Sequence, residues 1–133
     1  MIQGLNHLTL SVADLSVSLD FYVNVLGFTP ICKWRTGAYL QANGIWLCLS
    51  VGVAKPSQDY SHIAFTVTQD ELDAYRKQID RFDLPLWQQN TSEGDSLYLL
   101  DPDQHKLELH VGDLSTRLQS LKEKPYEGLE WFD

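Results

Sequence analysis

Six residues, His7-Leu8-Thr9-Leu10-Ser11-Val12, return 55 positions later as His62-Ile63-Ala64-Phe65-Thr66-Val67. Both copies alternate polar and apolar side chains, the period-two signature of a half-buried strand. The segments after each copy also recur. Behind Asp14, a helix-capping residue, Leu15, Leu19, Tyr22, Val23 and Leu26 form an apolar stripe closed by Gly27. In the second copy Leu72, Tyr75, Ile79 and Phe82 form the stripe. Each copy then has three strands: near 28–34, 38–41 and 45–51, and near 84–89, 97–100 and 105–111. Asn43-Gly44 marks a two-residue hairpin turn. A βαβββ unit is therefore written twice, and an internal repeat of this kind dictates the architecture. The expectation is an α+β fold, a cupped mixed sheet built from two modules. It forms one domain over 1–133, with module one at about 1–55 and module two at about 60–112. Residues 53–59 read as a linker. Residues 113–133 read as a helix capped by Asp113, with Leu114, Leu118 and Leu121 inward and Pro125 at its end. A tail that packs through Trp131 and Phe132 completes the chain.

Composition narrows the function classes. A chain of 133 residues suffices for one hydrophobic core. A net charge of −8 argues against nucleic acid or an anionic membrane as partner. No apolar run approaches the roughly 20 residues of a membrane span, and the first residues lack signal-peptide character. Cys32 and Cys48 are too few for a disulfide framework, so a cytoplasmic location is expected.

One residue is out of place. Glu108 sits mid-strand with Leu107 and Leu109 beside it, and a carboxylate is rarely buried unless it is paired or bound to a metal. His7 and His62 occupy equivalent places in the repeat and offer imidazoles to a common surface. Two imidazoles and one carboxylate suit Mn²⁺, Fe²⁺, Ni²⁺ or Zn²⁺ with coordination positions left open. Cys48 roughly matches Glu108 in the first copy, so no fourth ligand is evident. His105 has the opposite parity and reads as a surface or supporting residue. His110 shares the face of Glu108 and reads as a support for it. By default the oxygen-rich loop 90–96 is solvated and Trp34, Trp46 and Trp87 are core, with Trp46 also a possible cavity wall.

The stretches LNHLTLSVADL, FYVNVLGF, GAYLQANGIWLCLS, DYSHIAF, QNTSEGDSLYLLDPD, HKLELHVGDL and KPYEGL together resemble the fosfomycin-resistance glutathione transferases of the vicinal oxygen chelate superfamily, along almost the whole chain. The resemblance implies a homodimer that exchanges modules, so that His7 of one subunit meets His62 and Glu108 of the other. The implied metal is Mn²⁺, with Zn²⁺, Ni²⁺ or Fe²⁺ as substitutes. The implied reaction adds glutathione to the epoxide of fosfomycin. Thr9 matches the catalytic hydroxyl near the epoxide oxygen. Tyr39, Trp46, Tyr60, Gln88, Ser92, Tyr98 and Arg117 match substrate-binding positions, and Asn90, Ser92, Gly94 and Ser96 match a loop that holds K⁺. Two positions depart from the family. Gln88 stands where a lysine binds the phosphonate, which implies binding weaker by about 1–3 kcal/mol. Gln104 stands where the family turn has glycine, a worse fit if φ is positive there. A related enzyme acting on another small anionic electrophile, or a non-catalytic protein that sequesters a drug, are the alternative readings.

Overall fold

The computed structural model describes residues 1–91 and 93–132. The chain forms two compact units. One comprises Met1–Ser61 with Leu100–Lys106, the other His62–Leu99 with Leu107–Asp133.

In the first unit, β1 (Leu8–Val12) is followed by α1 (Leu15–Asp20), then β2 (Thr29–Trp34), β3 (Gly37–Ala42) and β4 (Ile45–Val51). The sheet order is β1-β4-β3-β2, with β1 parallel to β4 and the other pairs antiparallel. Asn43 and Gly44 turn β3 into β4 with φ of 44° and 82°, the left-handed pair that a tight hairpin demands. Alternation buries Val12, Ala38, Leu40, Leu47 and Leu49 on one face. Thr9, Tyr39 and Cys48, which pair across the strands, occupy the opposite face. Asp14 caps α1 by accepting a hydrogen bond from the Val17 amide at 3.2 Å. The helix then widens into a π turn over Phe21–Val25, where the Leu26 amide reaches the Phe21 carbonyl at 3.1 Å. This i→i−5 turn shifts the inward face. Ser18, Phe21, Tyr22 and Leu26 are the buried residues, while Leu15 and Leu19 of the expected stripe are half-buried.

The segment Leu100–Lys106 groups with the first unit because its acidic turn is stitched there. Asp101 is buried and accepts from the Tyr22 hydroxyl at 2.6 Å and from the amides of Asp103 and His105 at 2.9 and 2.8 Å. Asp103 accepts from the Ala13 amide at 3.0 Å and the Ser18 hydroxyl at 3.3 Å. His105 meets the Ser11 carbonyl at 2.7 Å, which ties the turn to β1. Burial raises the Asp101 carboxyl above its ordinary range, with the Tyr22 hydroxyl bond opposing the rise. Burial, then the Asp101 charge, raises the Tyr22 hydroxyl.

The second unit repeats the plan with β5 (Ile63–Thr66), α2 (Gln69–Phe82), β6 (Leu86–Gln88), β7 (Ser96–Leu100) and β8 (Lys106–His110), in the order β5-β8-β7-β6. Thr68 and Glu71 form a reciprocal capping box at the start of α2. Leu72 and Ile79 are buried, but Phe82, expected inward, is exposed at the last turn, before Asp83 ends the helix with φ of 49°. Asp113 caps α3 (Leu114–Glu123), which buries Leu121 and leaves Leu114 exposed rather than inward. Trp131 and Phe132 are likewise exposed within this chain. Arg76 of α2 grips Asp95 through both terminal nitrogens, one at 2.7 Å, and Gln69 adds a bond at 3.0 Å.

Two outcomes are expected of this fold. Gln104 adopts φ of 68°, so Gln104→Gly removes left-handed strain and stabilises the fold by roughly 1 kcal/mol in chemical denaturation. The hydrogen bonds from Arg76 hold the Asp95 carboxyl well below the usual carboxylate range. A depressed pKa contributes stability above the unfolded value that is lost as pH falls through the folded one. Wild type is therefore expected to lose stability relative to Asp95→Asn between about pH 4 and the acid limit, with no change in their difference near neutrality.

Candidate metal centre

The second unit holds the carboxylate that sequence patterning leaves unexplained. In the parallel pair β5–β8, Ala64 lies opposite Glu108, which sets Glu108 on the face that His62 also serves. Glu108 is 7% exposed. Its partners are His62, whose Nε2 lies 2.9 Å from Oε1, the Ser96 hydroxyl at 2.7 Å from Oε2 and His110 Nδ1 at 3.3 Å from Oε2. No ammonium or guanidinium among the described residues pairs with it. A separation of 2.9 Å is a hydrogen-bond length. It is also about the ~3 Å spacing of two donors held ~2.1 Å from one cation at right angles. An anionic oxygen and an imidazole nitrogen, converging at a half-buried position, fit a divalent transition metal. Among the described residues no three His, Cys, Asp or Glu side chains gather to hold an ion. His62 and Glu108 by themselves thus offer only two donors.

Aromatic rings wall this pair. The Trp87 ring lies 5.3 Å from His62 and the Tyr98 ring 6.3 Å, and Trp87 and Tyr98 meet edge-to-face at 5.2 Å. Trp87 is half-buried rather than core and donates its indole N–H to the Leu107 carbonyl at 2.9 Å. Tyr98 is buried mid-strand and pairs with Gln88 on β6. Gln88, Asn90, Ser96, Tyr98 and Arg76 are among the residues around a cavity of about 420 Å³.

The first unit carries a matching face. Thr9 pairs with Cys48 as Ala64 pairs with Glu108, so Cys48 occupies the place of the carboxylate. His7 precedes β1, is exposed, and shares a hydrogen bond between Nδ1 and Asn6 Oδ1 at 2.6 Å. Its ring lies 4.6 Å from Trp46, which meets Tyr39 at 5.3 Å, and Tyr39 meets Trp34 at 4.8 Å. Trp34 and Trp46 are 45% and 39% exposed and so not core, and Trp46 lines a cavity of about 250 Å³ with Tyr39.

The remaining residues singled out from the sequence lie in several places. Tyr60 is exposed ahead of His62. Ser92 lies outside the described residues. Asn90 donates to the Gly94 carbonyl at 3.0 Å, closing the loop on itself. Arg117 on α3 donates to Glu93 at 3.1 Å and to the Tyr126 hydroxyl at 3.1 Å. The bond from Arg117 to Glu93 keeps the guanidinium firmly charged. Sequence reasoning missed two features, the Arg76–Asp95 pair and the Ser96 bond to Glu108. The second had a signal: Ser96 opens the strand next to Glu108, and a buried carboxylate seeks donors.

The family model for the glyoxalase/bleomycin resistance protein/dioxygenase superfamily matches residues 4–109. The chain is 48% identical to the glutathione transferase FosA of Serratia marcescens, over 97% of this chain and 95% of that protein. It is 40% identical to the metallothiol transferase FosB of Lysinibacillus sphaericus, over 99% and 98%. Its fold matches a point variant of the fosfomycin resistance protein FosX of Listeria monocytogenes, complexed with Mn(II) and 1S,2S-dihydroxypropylphosphonic acid. That match has a TM-score of 0.82 and 32% identity and covers 90% and 98% of the two chains. FosX of Mesorhizobium loti matches with a TM-score of 0.78 and 30% identity, over 89% and 99%. With its twice-written βαβββ plan and its similarity to FosA, FosB and FosX along nearly its whole length, this chain belongs to the glyoxalase/bleomycin resistance protein/dioxygenase superfamily and to the Fos proteins within it.

Proposed function

We propose that this chain is a metal-dependent thiol transferase that adds glutathione to the epoxide ring of fosfomycin and so confers resistance to it. The observation that carries the reading is the buried Glu108 beside His62, without a cationic partner, in a chain 48% identical to the glutathione transferase FosA. His62 and Glu108 of one copy and His7 of a second copy hold the cation, in a homodimer whose modules are exchanged. Mn²⁺ is the assigned ion, since a mixed nitrogen and oxygen set of this kind suits it. When bound, it supplies Lewis-acid polarisation of the epoxide oxygen.

The protein's own groups do the rest. The Thr9 hydroxyl, on the face shared with Cys48 and Tyr39, donates a hydrogen bond toward the oxygen on which charge develops. Tyr39 and Trp46 on one side, and Trp87 and Tyr98 on the other, keep water from the reacting carbon. Tyr60 and Ser92 complete the substrate wall. The thiolate sulfur forms a bond to the epoxide carbon, the carbon–oxygen bond breaks, and the oxygen takes up a proton. The phosphonate is held by the neutral amide of Gln88 and by Arg117, whose guanidinium it shares with Glu93. Oxygens of Asn90, Ser92, Gly94 and Ser96 hold K⁺ nearby. No helix among the described residues is long and apolar enough to cross a membrane, and the thiol donor places the reaction in the cytoplasm.

The test is mass spectrometry of the product from fosfomycin and glutathione, with Mn²⁺ and K⁺ added or withheld. An adduct that needs Mn²⁺ and falls by roughly 100-fold or more in Glu108→Gln is expected. Unchanged adduct formation without metal, or a fully active Glu108→Gln, would contradict the assignment. Gln88→Lys, which converts a neutral hydrogen bond into a charge-assisted one, should lower KM for fosfomycin roughly 10-fold. No gain would point to a different anionic electrophile.

A further inference from the structure

Glu108 has two oxygens with different surroundings. Oε1 faces His62 Nε2 at 2.9 Å. Oε2 faces away from it, toward the Ser96 hydroxyl at 2.7 Å. That hydroxyl also lies 2.6 Å from His110 Nδ1. The proton count fixes the direction of this chain. An ionised carboxylate only accepts, and a serine hydroxyl has one proton to give. If Ser96 gives its proton to Oε2, it receives one from Nδ1 of His110.

The backbone is shaped around this imidazole. Gly94 has φ of 73°, and a Cβ there would lie 3.0 Å from His110 Cε1 and 2.4 Å from the Val111 carbonyl. Gly112 has φ of 125°, and a Cβ there would lie 3.2 Å from His110 Nε2. Two glycines at positive φ therefore flank one ring, in conformations that side chains resist. The ring itself is largely enclosed, with its side chain 15% exposed. His110 is thus packed against the backbone at both Gly94 and Gly112. Its Nδ1 lies on the Oε2 side of Glu108, 3.3 Å from that oxygen and 2.6 Å from the Ser96 hydroxyl, the side away from His62.

We infer that His110 and Ser96 are positioning residues. Through a relay that runs from His110 Nδ1–H to the Ser96 hydroxyl to Glu108 Oε2, they restrain Glu108 so that Oε1 alone is presented to the metal. The inference rests on the proposal that Glu108 is a metal ligand. Groups that orient a ligand in this way typically contribute 10- to 100-fold in metal affinity. The relay also gives Ser96 a task for its side chain apart from any cation held by the 90–96 loop.

Two measurements test it. The first is Mn²⁺ binding alone, by titration calorimetry and electron paramagnetic resonance, on wild type, Ser96→Ala, His110→Leu and His110→Asn. The asparagine amide can donate from near the place of Nδ1, whereas leucine fills the space without a donor. Expected are losses of about 10- to 100-fold for His110→Leu and Ser96→Ala, with His110→Asn within about threefold of wild type. Equal affinity in His110→Leu, or an equal loss in His110→Leu and His110→Asn, would overturn the relay. The second is the ¹⁵N spectrum of the metal-free wild type, which needs no variant to fold. A proton on Nδ1 of His110 is expected, and an Nε2–H tautomer with bare Nδ1 would overturn the inference. If wild type itself fails to bind Mn²⁺, the functional reading falls, while the tautomer still decides whether the relay exists.

Discussion

A buried carboxylate with no lysine or arginine beside it among the described residues is the constraint around which this structure turns. Glu108 is buried on the face opposite Leu107 and Leu109, on a strand that the parallel pair β5–β8 holds in place. Ionised, it costs several kcal/mol to keep there unless something compensates its charge. The chain supplies one hydroxyl and two imidazoles. These can satisfy hydrogen bonds but, when neutral, do not balance a charge. A divalent cation does both. The same carboxylate explains why Trp87 and Tyr98 gather around His62: rings that exclude water strengthen every electrostatic interaction inside the recess.

The repeat makes the comparison of its halves instructive. Cys48 stands in the first sheet where Glu108 stands in the second, and Thr9 stands where Ala64 stands. One backbone plan thus presents a carboxylate face in one unit and a hydroxyl-bearing, aromatic face in the other. The acidic turn that begins at Asp101 serves stability instead. It satisfies its carboxylates with the Tyr22 hydroxyl and with backbone amides, and Gln104 accepts a left-handed backbone to close it.

How much of this is legible in the sequence depends on the range of the interaction. Strand alternation, the Asp14 and Asp113 caps and the Asn43-Gly44 turn are local properties, and the structure has them where the residues put them. So is the parity that sets Glu108 on the face opposite Leu107 and Leu109. The π turn at Phe21–Val25 is not legible, because it inserts a register shift that a regular 3.6-residue period does not contain. Ser18, a polar residue, is buried where its hydroxyl reaches Asp103, a contact that periodicity does not record. Phe82, Leu114 and Trp34 show the converse. Their apolar character reads as inward, yet helix ends and the edge strand β2 leave them at the surface. The bond from Arg76 to Asp95 joins a helix face to a loop, and nothing in either segment's periodicity records it.

The decisive point of the proposal is where a third ligand would come from, since His62 and Glu108 are set together in one unit and His7 belongs to the other. The most direct measurement is the rate of fosfomycin adduct formation by protein co-expressed from His7→Ala and Glu108→Gln chains, each assayed alone as well. If the metal is held by His62 and Glu108 of one copy and His7 of its mate, mixed dimers contain one intact site each. Random pairing then restores about a quarter of the wild-type rate. A mixture no more active than its two inactive parents would contradict a site shared between copies of this chain.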